Sequence, residues 1–180
     1  MNGKTQKEAQ RTAEAGSGGA ACTIERGRAQ DAEDIYALYH SLIDMPYGTW
    51  NEDYPDFELV QEDLARSEVF VMRDGGRLIA AIVNEDSDEF DGMAPWYDDV
   101  SRWAQLGRLG VDRAYQGRGI GRTMMRYALE RAKEEGCDAA RLLVGVHNLP
   151  AQRAYSTLGF DVCGEAEAWG NRWLCYQKRL

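Results

Sequence analysis

Gln116-Gly117-Arg118-Gly119-Ile120-Gly121 is the stretch on which the fold turns. Leu109-Gly110-Val111 precedes it and reads as an apolar strand, and a long amphipathic pattern opens directly after it. Glycine has no Cβ, so the backbone there can approach a ligand closely and adopt positive φ. The first amides of a helix have no internal acceptor, and their dipoles favour an anion in front of them. Strand, glycine-rich turn and helix together read as a cradle for a diphosphate, with Gln116 and Arg118 offering further donors.

Spacing excludes two common diphosphate sites. A P-loop carries lysine and then Ser or Thr directly after its last glycine; here Arg122 and Thr123 follow Gly121. A dinucleotide fingerprint has glycines at its first, third and sixth places. Gly117 and Gly119 fit it, and the sixth place is Arg122.

Outward from the cradle, the pattern is α+β in the first half and β-α-β-α-β in the second, which calls for at least one parallel strand pair. The spacing predicts a strand over Thr23 to Arg28, then a helix capped by Asp31 and carrying Ile35, Leu38, Tyr39, Leu42 and Ile43. A second helix is predicted from about Asp56 to Arg66. Val69–Met72 and Leu78–Val83 flank the turn signal Asp74-Gly75-Gly76 and read as a hairpin. The acidic stretch from Glu85 to Asp99 has no periodicity and reads as a loop. Ser101 to Val111 reads as a strand, Gly119 to Glu135 as the helix behind the cradle, and Gly136 as its end. Arg141 to Val146 is a Leu/Val-rich strand, Asn148 caps a short helix to Leu158, and two strands close the chain.

The 180 residues, 44% hydrophobic, suit one domain with a real core. Residues 1–21 are polar and Gly/Ser/Ala-rich, without the apolar centre of a secretory signal, and read as a disordered tail before a domain over 22–180. No apolar run approaches the roughly 20 residues that span a bilayer, so no membrane partner is expected. Cys22, Cys137, Cys163 and Cys175 are scattered, which fits free thiols in a reducing cytoplasm. His40 and His147 stand far apart, so no metal site is expected. A net charge of −9 argues against nucleic acid and is compatible with a cationic substrate.

A second motif, Asn148-Leu149-Pro150-Ala151-Gln152-Arg153-Ala154-Tyr155-Ser156-Thr157-Leu158-Gly159-Phe160, aligns Ala151, Ala154, Tyr155 and Leu158 along one helical side. With the cradle, it resembles the GCN5-related N-acetyltransferase (GNAT) family. That family's coenzyme A motif, Gln/Arg-x-x-Gly-x-Gly/Ala, is met by Gln116, Gly119 and Gly121. Its later motif is met by Asn148, Ala151, Tyr155 and Leu158-Gly159-Phe160. The resemblance implies the GNAT fold, an α/β (α+β) arrangement. In it a mixed sheet of six to seven strands is flanked by about four helices, and strands four and five splay apart. One departure is Arg113, where the family often has proline; a looser turn or an added charge near the cofactor is expected from it.

The resemblance also implies an enzyme that moves acetyl from acetyl-CoA to a primary amine of a small molecule or peptide. The alternative is a noncatalytic acyl-CoA binding or sensing domain of the same fold. Homodimers are common in the family. By resemblance the diphosphate lies on Gly117, Arg118, Gly119, Ile120, Gly121 and Arg122, next to Gln116. The pantetheine arm would pair with Leu109, Gly110 and Val111 on one side and Asn148 on the other. Tyr155 is the implied general acid, its plainer role being core packing. Glu85 is the first candidate base, ahead of Asp86, Asp98 and Asp99, with His147 as a relay. Tyr47, Trp50, Tyr54, Trp96, Tyr97 and Trp103 either shape the acceptor site or cover the sheet ends.

Overall fold

The structure, a computed structural model, describes residues 11–12, 22–85 and 87–180. The tail expected over 1–21 lies outside them except for Arg11–Thr12, a two-residue strand paired antiparallel with Ile24 and Thr23. Seven longer strands follow: β1 (Thr23–Arg26), β2 (Glu68–Asp74), β3 (Arg77–Glu85), β4 (Trp103–Val111), β5 (Ala139–Gly145), β6 (Asp161–Ala168) and β7 (Asn171–Arg179). With Arg11–Thr12 at its edge, the sheet runs β1-β2-β3-β4-β5-β7-β6. Among the described residues, only the β4–β5 pair is parallel. Among the described residues, four α-helices flank the sheet: α1 (Ala32–His40), α2 (Phe57–Arg66), α3 (Ile120–Glu134) and α4 (Leu149–Thr157).

Alternation along the central strands sends side chains to two separate cores. On one face Phe70, Ile82, Leu106 and Leu142 pack under α3 with Met124, Met125 and Ala128. On the other, Val71, Ala81 and Val83 pack under α1 and α2 with Ile35, Tyr39 and Val60. A smaller cluster of Phe90, Trp96 and Cys175 lies under the segment between β3 and β4.

Several local signals act as the sequence predicts. Gly75 and Gly76 take φ +56° and +89°, the left-handed pair that joins two twisted strands in a two-residue hairpin. The Asp56 carboxylate accepts from Leu59 N–H at 2.8 Å and caps α2. Asp31 departs from expectation. Its carboxylate does not cap α1; it accepts from Arg28 N–H at 2.8 Å and from Arg73 Nη2 at 2.6 Å. A guanidinium brought in from β2 outbids the helix amides for it.

Gly110 has a packing reason to be glycine. A Cβ there would sit 3.0 Å from two ring carbons of Tyr39, which is wholly buried. Gly110→Ala is therefore expected to cost about 1–3 kcal/mol, as overpacking does. A thermal melt would show it as a drop of several degrees; an unchanged midpoint would mean that Tyr39 has room to yield.

Candidate active site

Parallel neighbours β4 and β5 each lead at their carboxyl ends into a helix on the same face, α3 and α4. Ligands of open α/β sheets bind in such crevices. Here the crevice is widened. β4 pairs with β5 only at Trp103, Ala104 and Gln105; from Leu106 to Val111 the ladder is absent, so the fourth and fifth strands splay. The parting coincides with a bulge. The β3–β4 register slips between Ala81 and Val83, and opposite the slip Arg108 takes φ +45°. Beyond it Asp112 N–H donates to the Ile79 carbonyl at 2.9 Å. By antiparallel alternation, Val111 and Leu109 then turn their backbone groups the other way, toward the split.

The cradle closes one end of the crevice. Gly117 and Gly119 take φ +74° and +81°, and a Cβ on either would meet nothing within 4 Å. Glycine is needed there for conformation, not for room inside the protein. Gly119 is the N-cap of α3 and supplies no side-chain cap. The first amide to turn inward is Thr123 N–H, which donates to the Gly119 carbonyl at 3.0 Å. Among the described residues, the N–H groups of Gly117, Arg118, Gly119, Ile120, Gly121 and Arg122 have no protein acceptor.

Gln116 and Arg113 are both tied to the protein backbone. Gln116 Nε2 donates back to the Val111 carbonyl at 3.0 Å, bracing the turn. Arg113 Nε donates to the Ser41 carbonyl at 2.8 Å, beyond the end of α1, where a cation suits the helix dipole. Arg118 stays exposed, its guanidinium 5.1 Å from the Tyr115 ring centroid.

Asn148 and Tyr155 stand on the β5 side. Asn148 Oδ1 accepts from Ala151 N–H at 3.2 Å and caps α4, which leaves its Nδ2 donor unused. Tyr155 is half-buried between Phe160 and Tyr176, with ring centroids 5.8 and 6.2 Å away. Its hydroxyl has no hydrogen-bond partner among the described residues, and burial pushes its pKa up to about 12. It therefore stays protonated across the neutral range.

The family model for the GNAT acetyltransferases matches residues 35–160. The chain belongs to the GNAT family. Curated relatives include the mycothiol acetyltransferase of Corynebacterium aurimucosum, 33% identical over 41% of this chain and 25% of that protein. The streptothricin acetyltransferase of Streptomyces lavendulae is 39% identical over 46% of this chain and 43% of that protein. The chain thus spans only a quarter to under half of these two relatives. Among solved structures, YncA of Salmonella typhimurium with its cofactor acetyl-CoA superposes at TM-score 0.67, with 18% identity over 88% of this chain and 94% of that one. At that identity the likeness shows the fold.

On the opposite face of the GNAT sheet lies a polar cluster that sequence spacing does not reveal. Arg108 Nε and Nη2 donate to Asp63 Oδ2 and Oδ1 of α2, both at 2.7 Å. Its Nη1 lies 3.2 Å from Glu85 Oε1 and 3.2 Å from Tyr54 Oη. The Arg108 and Asp63 side chains are only 8% and 7% exposed, so this is a buried ion pair. Burial disfavours the guanidinium's charge, and Glu85, Tyr54 and Asp63 outweigh it, so the Arg108 pKa is raised. Glu85 also accepts from Gln105 Nε2 at 2.9 Å. A Cβ on Gly107 would collide with Glu85 Oε1, so a side chain there would make that carboxylate shift from Arg108.

The six loop aromatics divide. Trp96 is buried in the third cluster and donates to the Phe90 carbonyl. Trp96 and Trp103 flank Arg141, 4.8 and 3.9 Å from its guanidinium carbon. Tyr97 bonds to Asp161. These three cover the sheet. In the other loop Trp50 stacks edge-on against Tyr39 at 4.9 Å, Tyr54 touches Arg108, and Tyr47 is exposed. Thr49 in that loop reaches β5, within 3.0 Å of where a Gly145 Cβ would lie. His147 is exposed, Asp99 pairs with Arg179 at 2.6 Å, and Asp86 lies outside the described residues. Among the described residues, no cluster of His, Cys, Asp or Glu is suited to a metal, and no helix is long and apolar enough to cross a membrane.

Proposed function

We propose that this GNAT protein is an N-acetyltransferase that carries acetyl from acetyl-CoA to a primary amine. One observation carries the reading: six successive unbonded N–H groups, Gly117 to Arg122, stand at the end of a strand parted from its parallel neighbour. They fit a diphosphate, and the β4 backbone at Leu109 to Val111 fits an amide-bearing arm. Asn148 Nδ2, left free by the cap on α4, is the proposed donor to the arm from the β5 side. Acetyl-CoA would supply an acetyl thioester with a thiol leaving group. The Val111 amide is the proposed donor to the thioester carbonyl.

The acceptor must lose a proton before it can attack. For a lysine-like amine at neutral pH that costs about 4 to 5 kcal/mol. Glu85 is the proposed base. Its carboxylate uses one site on Arg108 and one on Gln105, and an ionised carboxylate has about four acceptor sites, so it can still receive an ammonium N–H. Two carboxylates around one guanidinium leave one net negative charge, which favours a cationic amine. Tyr155 is the proposed general acid, donating to the departing thiolate.

The second reading, a noncatalytic acyl-CoA binding domain, draws support from the same contacts of Glu85, since both its oxygens are already engaged. Thiol release from acetyl-CoA over a panel of primary amines separates the two. Turnover on any amine supports the enzyme; micromolar coenzyme A binding without turnover on all of them supports the binding domain.

The pH profile offers a further check. Tyr155 acts in its protonated form, and its raised pKa of about 12 preserves that form as pH rises. kcat/KM is expected to climb through neutral pH with amine deprotonation and to show no falling limb below about pH 11. A descending limb near pH 8 that vanishes in Tyr155→Phe would place the Tyr155 pKa, and so its surroundings, elsewhere.

A further inference from the structure

Arg108 is an odd choice for its position. A left-handed backbone suits glycine, and the chain places glycine at 107 and 110 while keeping a long cation at φ +45°. The side chain is what the position retains. It runs into the α1–α2 face, where Asp63 takes it with two 2.7 Å bonds and Glu85 and Tyr54 share the third nitrogen. Asp63 is held by the body of α2, and Glu85 ends β3, so three elements converge on one guanidinium. Arg108 is also three residues past Gln105, where the β4–β5 ladder stops.

We propose that the Asp63–Arg108–Glu85 clamp is a positioning device that holds the β4 bulge in place and so keeps the split beyond it open for the arm of coenzyme A. The clamp pulls the bulge toward α2 and away from β5. Without it, β4 beyond residue 108 can relax toward β5 and recover ladder bonds at Leu109 and Val111, which unpaired strand edges favour. Arg108 touches neither the cradle nor Tyr155 in this structure. It acts through the backbone of its neighbours, and the site for the arm rests on the acetyl-transfer reading above.

Arg108→Gly separates conformation from clamp, because glycine accepts the same φ and removes only the side chain. Full-length protein is compared for affinity toward coenzyme A and toward ADP, which has the diphosphate and no arm. The variant is expected to lose at least about tenfold in coenzyme A affinity with ADP affinity within about twofold; Asp63→Asn should do the same in milder form. Arg108→Lys keeps the charge without the paired bonds and should recover part of the loss. General destabilisation would weaken both ligands together. Hydrogen exchange provides the arm that needs no ligand. The Leu109 and Val111 amides should exchange at least about tenfold more slowly in Arg108→Gly than in the wild type, as the split closes. Unchanged exchange at these two amides, or unchanged coenzyme A affinity in a wild type that binds it, overturns the clamp. A wild type that binds no coenzyme A sinks the acetyl-transfer reading, and the exchange measurement still decides the clamp.

Discussion

Substituting glutamate for Gly119 should abolish coenzyme A binding and leave the fold standing. The position has φ +81°, and a Cβ there meets no protein atom within 4 Å. An L residue therefore costs about 1–2 kcal/mol of backbone strain with no added clash. The carboxylate, however, would stand among the N–H groups proposed to hold a diphosphate, adding like charge where an anion is proposed to bind. A loss of at least about 100-fold in affinity is expected, equivalent to about 2.7 kcal/mol. Titration calorimetry with coenzyme A checks it, with Gly119→Ala as the strain-only control, expected to lose no more than about tenfold. Near-normal affinity in the glutamate variant would mean that the diphosphate sits elsewhere.

Tyr155→Phe is expected to lower kcat by about 10²- to 10³-fold and to change the dissociation constant for coenzyme A less than twofold. Phenylalanine keeps the ring that packs on Phe160 and Tyr176. The hydroxyl it removes has no protein hydrogen bond among the described residues to lose, so stability should stay within about 0.5 kcal/mol. That combination makes the variant informative: a fall in turnover without a fall in melting temperature reports chemistry. Unchanged turnover would return Tyr155 to a packing role and shift the reading toward an acyl-CoA binding domain.

The parts that were legible in the sequence are those whose cause is local. Gly117 and Gly119 announce positive φ, Asn148 and Asp56 announce caps, and Asp74-Gly75-Gly76 announces a hairpin; each needs only a few neighbouring residues. The parting of β4 from β5 follows from family resemblance alone, because no local pattern encodes a missing ladder. Long-range pairing defeated the rest. Asp31 looks like a cap until Arg73, 42 residues away, claims it. The segment after Glu85 looks shapeless until Arg141 arrives from β5 to lie between Trp96 and Trp103. Arg108 carries no motif at all. Its partner did leave a trace: Asp63 is a charge on the buried side of α2, three residues after Val60, and a buried acid implies a cation somewhere.

The sheet's two faces are packed independently, α3 over one and α1 with α2 over the other. The loop that carries Thr49 and Tyr54 belongs to the second face and makes contact on both sides of the divide between the strands. Such a layout separates inheritance from innovation. On the acetyl-transfer reading, changes at exposed positions of this loop such as Tyr47 are expected to retune what is admitted, while Tyr54, which bonds to Arg108, has to stay. On that same reading, successive generations of the gene can explore new recipients at those exposed positions while the main-chain amides of residues 117–122 stay as they are.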